Sequence, residues 1–166
     1  VGQYINWFDD DDLMHPEKLQ RQLTFLEETD YSFCVCQTLV FKEQMNNLIG
    51  SRNKNIVSNN PFFDYLTMKI GWLTQPPLWK RNFLEELDHL FDEELQGAQE
   101  WEFHLRILNK YPEYGVLLEE LVFLRKHEES ITHNVNEKQR FFNYFLARLK
   151  IYKNTKLLLS LGLINI

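Results

Sequence analysis

A tract of four consecutive aspartates, residues 9–12, lies near the start of the 166-residue chain and limits how the chain can fold. The tract follows an apolar segment, residues 4–8, so we predict a buried strand over residues 2–8. Four like charges at one strand end repel one another unless a cation lies among them. Ligands of open α/β sheets bind beyond the carboxyl ends of the strands, and this is where the tract falls.

The aspartate tract predicts a metal site. Carboxylate oxygens suit Mg2+ or Mn2+, and such ions are usually shared with a substrate phosphate. We therefore predict a metal–diphosphate site centred on Asp9 and Asp11, with Asp12 close by. An alternative stays open, because aspartate is a favoured N-cap and Asp11 or Asp12 could cap the helix predicted downstream. An EF-hand is excluded, since Leu13 and Met14 stand where that loop needs an oxygen ligand and glycine.

Length and composition indicate one folded α/β domain. Hydrophobic residues make up 44% and aromatic residues 14% of the chain, which excludes a disordered protein. The net charge of −6, from 18 basic and 24 acidic residues, argues against nucleic-acid binding. Cys34 and Cys36 have the spacing of two buried thiols on one face of a strand. Few cysteines and no apolar segment of membrane-spanning length predict a cytoplasmic location.

The last 31 residues differ in charge from the rest. Residues 136–166 hold six basic residues against Glu137 alone, a net charge of +5, so residues 1–135 carry −11. A long amphipathic helix is predicted from about residue 136, with apolar positions at Phe141, Phe142, Phe145, Leu146 and Leu149. We expect this apolar face to pack on its own domain or on a second copy in a homo-oligomer. The alternative is peripheral contact with an anionic membrane.

Other segments alternate between strand and helix patterns. Strands are predicted over residues 31–41, 114–118 and 121–124, and a loop or irregular hairpin over residues 42–59. Helices are predicted from Pro16 over three turns and over residues 60–68, 80–87 and 98–110.

Two further groups have residue types suited to catalysis. Glu100 lies in the first turn of the helix over residues 98–110, where the positive helix end favours an ionised carboxylate that could act as a general base. Taken alone, an ordinary first-turn glutamate explains this residue better, and Glu102 is an alternative base on a different face. Arg125 could pair with a phosphate, and His127 could bind a metal. The sequence holds no zinc motif and no glycine-rich phosphate loop.

In this order and spacing, three segments resemble the family 2 glycosyltransferases of the GT-A fold. Residues 2–12, followed by Pro16, Lys18 and Leu19, are similar to the DxD strand of the family and the helix after it. The segments similar to the acceptor half, whose acidic pair supplies the base, are residues 79–81, 91–95 and 99–106. The segment similar to the Arg-x-His…Ser motif is residues 125–132. The resemblance covers residues 2 to about 133.

The resemblance implies a partial GT-A fold, a mixed sheet flanked by helices, over residues 1–133. Residues 134–166 would form a C-terminal helical extension. It also implies inverting transfer of a sugar from a nucleotide-diphosphate sugar to a hydroxyl of a saccharide or lipid-linked acceptor. The family setting would be cell-surface polysaccharide or lipopolysaccharide synthesis.

The resemblance also implies roles for particular residues. Asp9 and Asp11 match the DxD residues that hold Mg2+ or Mn2+, and Glu100 matches the base that deprotonates the acceptor hydroxyl. Trp101 would contact the acceptor, and His127 would be a further metal ligand. The residues implied to contact the donor are Asp9, Asp10, Asp12 and Arg125.

The sequence departs from the family pattern at two places. Gln99-Glu100 replaces the usual Glu-Asp pair, and the N-terminal half that binds the nucleotide base has no counterpart in these residues. We expect the strand over residues 2–8 to have an unpaired edge, which favours pairing with another chain. The alternative function is therefore an inactive glycosyltransferase-like remnant that acts as an oligomeric or partner-binding module.

Overall fold

The structure, a computed structural model, describes residues 2–53, 55–126 and 136–160, with side chains to residue 153. Within these ranges the elements are β1 Tyr4–Ile5, β2 Leu13–Met14, α1 Lys18–Glu27, β3 Phe33–Lys42, β4 Leu48–Ser51, α2 Pro61–Leu66, β5 Leu78–Lys80, α3 Arg81–Glu85, α4 Gln99–Lys110, β6 Gly115–Lys126 and α5 Glu137–Ser160. None of the described helices combines the length and the apolar character needed to cross a bilayer.

The strands form one mixed sheet in the order β1-β5-β3-β6-β2, with β4 also paired to β3. Its centre is the parallel pair of β3 and β6, in which Cys34 lies opposite Gly115 and Val40 opposite Leu124. The other pairs are antiparallel. The carboxyl ends of β3 and β6 therefore meet at one edge of the sheet.

The parallel strands β3 and β6 can lie at the centre of the sheet because many of their residues are apolar and buried. β3 opens with four buried residues, Phe33 to Cys36, so both of its faces are covered there. Helix α1 packs on this region, and a Cβ atom at Gly115 would lie 2.2 Å from the Phe25 ring. Glycine at residue 115 thus lets α1 approach the sheet.

Aromatic rings make up much of the main core. The Trp79 ring stacks on Phe33, with centroids 4.2 Å apart, and contacts the Phe103 ring at 5.4 Å. Helix α5 joins the same core through Ala147 and Ile151. The domain and its C-terminal helix therefore share one apolar interior.

Polar contacts set the position of α5. A Cβ atom at Gly97 would lie 2.5 Å from the Asn143 side chain, so the helix packs directly on the backbone that precedes α4. Lys150 donates hydrogen bonds to Asp92 at 2.6 Å and to Glu94 at 2.8 Å. These contacts hold α5 beside the beginning of α4.

Most predicted elements are confirmed, including the irregular hairpin that contains β4. The strand predicted over residues 2–8 was too long, since only Tyr4–Ile5 pairs in the sheet. α1 begins at Lys18 instead of Pro16, because the Lys18 N–H bonds the His15 carbonyl in a preceding turn.

One other expectation was wrong, and the expectation that the predicted apolar face of α5 packs on its own domain fails for most of that face. The strands predicted over residues 114–118 and 121–124 form one strand, β6, because the acidic residues between them face solvent. One of them, Glu119, pairs there with Arg21 of α1 at 3.1 Å. On α5 the face that packs on the domain contains Asn143, Ala147 and Ile151, while Phe141 and Phe145 are exposed.

His104 predicts how stability depends on pH. Its ring is fully buried, which lowers its pKa to about 3. Nδ1 lies 3.0 Å from the Tyr65 hydroxyl, whose own proton goes to the Trp72 carbonyl oxygen. A histidine whose pKa is lowered on folding contributes stability above its unfolded pKa of about 6.5, and that stability is lost as pH falls.

We expect the free energy of unfolding to fall by about 2 kcal/mol between pH 6.5 and 5.0 through this one group. Urea unfolding at the two pH values would measure it. His104→Asn should be less stable at pH 6.5 and should lose about 2 kcal/mol less on acidification. The exposed His89 gives the control, His89→Asn, which should keep the wild-type pH dependence. An unchanged pH dependence in His104→Asn would contradict this explanation.

Candidate active site

A cavity of about 630 Å³ lies at the carboxyl ends of β3 and β6, where Val40 and Leu124 line it. The aspartate tract enters this cavity from the loop between β1 and β2. The loop is anchored by Trp7, whose ring packs against Phe91 and Phe103 with centroids 5.2 and 5.8 Å apart. Trp7 thus turns into the core, while Asp9, Asp10 and Asp11 after it are exposed.

Three of the four aspartates come together. One carboxylate oxygen from each of Asp9, Asp11 and Asp12 lies within 4.8 Å of the others. Burial and the neighbouring Asp11 and Asp10 raise the pKa of Asp9. Burial, more than its acidic neighbours, raises the pKa of Asp12 to about 6. The cluster is thus a concentration of negative charge that resists full ionisation.

The Gln75 side chain bridges two of these carboxylates. Its Nε2 atom donates to Asp9 Oδ2 and to Asp12 Oδ2, each at 2.7 Å. The other oxygen of Asp12 accepts the Arg125 backbone N–H at 2.8 Å, and the Arg125 guanidinium donates to the Asp11 carbonyl at 2.9 Å. Gln75 and Arg125 therefore hold the acidic loop from two sides.

Buried polar groups under the cavity hold Gln75 in place. Asn6 donates to the carbonyl oxygens of Gln75 and Pro77 at 2.9 and 2.7 Å. Gln22 of α1 donates to the Pro76 carbonyl at 2.9 Å. The fully buried Lys18 donates to Asn6 Oδ1 at 3.2 Å, and burial lowers its pKa to about 8. Residues 75–77 are thus tied to α1 and to Asn6, the residue that follows β1.

Glu100 lines the same cavity from the first turn of α4. Burial is the largest influence on its carboxyl group and raises its pKa, and Asp9 raises it further, while Arg52 acts in the opposite direction. The sequence alone predicts a helix end that favours the ionised form, but burial outweighs that effect. Glu100 is therefore a stronger proton acceptor than a solvent-exposed glutamate.

Basic and aromatic residues complete the cavity wall. Arg52 follows β4, and Arg140 and Tyr144 come from α5. The Tyr144 ring packs edge-on against the Trp101 ring, with centroids 5.6 Å apart, and the Arg148 guanidinium lies 4.7 Å from the Trp101 centroid. Trp101 thereby holds the face of α5 that reaches the cavity.

The predicted site residues divide into three groups. Asp9, Asp11, Asp12, Glu100 and Arg125 all line the cavity. Asp10 is exposed and Trp101 is only 6% exposed, and neither is a lining residue. Direct acceptor contact by Trp101 is therefore not supported, because its ring is enclosed by the core and α5. His127 lies outside the described residues.

The alternative base lies elsewhere. The carboxylate of Glu102 is buried and pairs with Arg106 at 3.0 Å, away from the cavity. Sequence reasoning missed Gln75, Arg52, Arg140 and Tyr144. Only the helical spacing of the last two gave any signal, since residues four apart share a helix face.

The acidic cluster fits a small divalent cation. It offers three hard oxygen ligands at close range, which is the donor type that Mg2+ and Mn2+ prefer. The raised pKa values of Asp9 and Asp12 point the same way, since a bound cation would favour the ionised forms that burial and the neighbouring carboxylates disfavour. The chemistry of the residues is thus consistent with the predicted metal.

Comparison with known proteins agrees with the family and with the fold. The family model for glycosyl transferase family 2 matches residues 1–85, which is about half of the chain. The matched segment includes the aspartate tract and Gln75 and ends before Glu100. None of the curated proteins compared with the chain matches its sequence.

Solved structures of TarS from S. aureus have a similar fold. TarS 1–349 in complex with UDP-GlcNAc matches 82% of this chain with a TM-score of 0.58 and 16% identity. The complex with UDP matches 77% with a TM-score of 0.53 and the same identity. The chain spans only 38% and 37% of those TarS chains. The likeness confirms a partial GT-A fold, a mixed sheet flanked by helices.

The Gln75 bridge gives a prediction for stability. Gln75→Leu removes the donor from two close carboxylates, and hydrogen bonds to charged groups contribute about 1.5–3 kcal/mol. We expect the variant to lose about 2 kcal/mol of unfolding free energy at pH 7 in EDTA, measured with urea. Gln20→Leu, at an exposed position of α1, is the matched control and should change it by less than about 0.5 kcal/mol. Equal losses in both variants would contradict the bridge.

Proposed function

The chain belongs to glycosyl transferase family 2, and we propose that it transfers a sugar from a nucleotide-diphosphate sugar to an acceptor hydroxyl. The observation that supports this most is the shared cavity. It holds three convergent carboxylates, suited to a cation and a diphosphate, together with Glu100, a partly buried carboxylate suited to proton transfer. Family membership and one cavity with both groups point to the same reaction.

In this proposal Asp9 and Asp11 hold Mg2+ or Mn2+, and Asp12 completes the carboxylate set. A bound cation would stabilise the departing nucleoside diphosphate as a Lewis acid. Gln75 keeps two of the carboxylates close together before the ion arrives, which lowers the cost of assembling the site. His127 remains a further candidate ligand on the sequence resemblance alone.

Glu100 acts as the general base in this proposal. Its carboxylate accepts the proton of the acceptor hydroxyl, the hydroxyl oxygen bonds to the anomeric carbon, and the bond from that carbon to the diphosphate oxygen breaks. Attack from the side opposite the leaving group inverts the anomeric configuration. The raised pKa of Glu100 supports this role, because a base is most effective when its pKa approaches the working pH.

We assign the donor to the uridine diphosphate sugars, because TarS, which shares the fold, has been crystallised with UDP-GlcNAc and with UDP. Arg125 would lie near the donor, since its backbone and side chain both contact the aspartate tract. Tyr144 and Arg140 replace Trp101 as the candidates for contact with a saccharide or lipid-linked acceptor.

We also propose a division of the chain. Residues 1–133 would supply the donor and base chemistry, and the extension over residues 134–166 would complete the acceptor side of the cavity through α5. A place in cell-surface polysaccharide or lipopolysaccharide synthesis rests on the family resemblance alone.

Separate variants test the two halves of the mechanism. Asp9→Asn and Asp11→Asn should each weaken Mn2+ binding by about tenfold or more, because each removes an anionic ligand. Loss of the electron paramagnetic resonance signal of free Mn2+ on titration with protein measures this binding. The exposed Asp10→Asn is the matched control and should bind Mn2+ like the wild type. A loss in Asp10→Asn as large as in Asp9→Asn would overturn the assigned ligands.

Glu100→Gln should keep Mn2+ and UDP binding and should lower sugar transfer by about 10²–10⁴-fold, the usual contribution of a general base. Release of UDP from a panel of UDP-sugars in the presence of mixed saccharide acceptors measures the rate. Glu102→Gln serves as the control, because that carboxylate points away from the cavity. Full transfer activity in Glu100→Gln would overturn its role as base.

A further inference from the structure

Helix α5 has an exposed apolar face, which we call the outer face. It is formed by Phe141, Phe142, Phe145, Leu149 and Tyr152. The spacing of these residues, four or three apart with Phe142 alongside, aligns them along the helix. Phe141 is 76% exposed, Phe145 51% and Tyr152 60%. An aligned row of exposed rings differs from apolar residues scattered singly over a surface.

The charges on this helix are almost all positive. Glu137 is the only acidic residue of α5, which holds six lysines and arginines. Lys138 precedes Phe145 by seven residues and Lys153 follows Leu149 by four, so helical geometry places both lysines along or beside the outer face. Both are exposed. The outer face is therefore a row of aromatic rings with a lysine near each end.

We propose that the outer face of α5 docks on an anionic lipid surface. Aromatic rings enter the boundary between headgroups and acyl chains, and lysines pair with anionic headgroups, so the face matches such a surface in both respects. Residues 1–135 carry a net charge of −11 and would be repelled by the same lipids. Charge thus selects α5 as the part of the chain that makes contact.

A second copy of the chain matches the outer face less well. Pairing two outer faces would bring the lysines of both helices together, and α5 offers only Glu137 to offset them. Docking on lipid also fixes the orientation of the cavity, because Arg140 and Tyr144 on another side of the helix line it. The inference does not depend on sugar transfer and is tested without it.

Vesicle flotation of the whole chain tests the inference. The protein should float with vesicles of phosphatidylcholine and phosphatidylglycerol at 3:1 and remain unbound with phosphatidylcholine alone. Phe141→Gln with Phe145→Gln should lower the bound fraction by about tenfold, since two rings that would enter the lipid boundary are lost. Lys138→Gln with Lys153→Gln should reduce binding to the anionic vesicles, and added salt should weaken wild-type binding.

The control is a double substitution of exposed apolar residues elsewhere, Phe63→Gln with Leu118→Gln, which should float like the wild type. Urea unfolding shows whether each variant keeps its fold. If the phenylalanine variant does not fold, the lysine variant decides the test. Absence of flotation with both vesicle types, or equal loss in the control, would overturn the inference. Light scattering that shows a dimer broken by the phenylalanine substitutions would also overturn it, in favour of a second copy.

Discussion

The geometry of the site depends on one side chain, the Gln75 amide, lying between two carboxylates that repel each other. Its single Nε2 atom reaches both Asp9 and Asp12 at 2.7 Å. A cationic side chain in the same place would neutralise the pair and compete with a metal, whereas a neutral amide offers hydrogen bonds and leaves the charge available. Since Asn6 and Gln22 fix the turn that contains Gln75, the spacing of the acidic residues is set from beneath by the sheet and α1.

That arrangement places ionisable groups where their charged forms are disfavoured. Lys18 is fully buried outside the cavity wall and has a lowered pKa, while in the cavity desolvation is the largest cause of the raised pKa values of Asp9, Asp12 and Glu100. A fold selected only for stability would place such groups in water. Perturbed pKa values gathered in one cavity are typical of functional sites, where a ligand that binds only the folded state recovers the lost stability. Apolar burial in the aromatic core around Trp79 stabilises the fold and offsets the cost of these groups.

The sequence alone predicted the parts of the site that are local in the chain. The aspartate tract and the position of Glu100 follow from a charge run and a helix start. Gln75 could not be predicted, because it lies 66 residues from Asp9 and nothing near it signals that contact. The apolar pattern of α5 was visible, but periodicity does not say which side of a helix the rest of the fold covers. Nor could the sequence show that the Trp101 ring faces the core and α5, since a ring next to a catalytic candidate can serve packing alone.

Trp101 nevertheless explains why α5 matters to the site. Glu100 and Trp101 are consecutive at the beginning of α4, so one side chain enters the cavity while the next enters the core. Tyr144 and Arg148, one turn apart on α5, pack against that ring. Packing against Trp101, the residue next to Glu100, thus fixes where Tyr144 lies in the cavity wall. A shift of α5 along its axis would move Tyr144 relative to the Glu100 carboxylate. The packing of Trp101 against α5 therefore controls how far Tyr144 lies from that carboxylate.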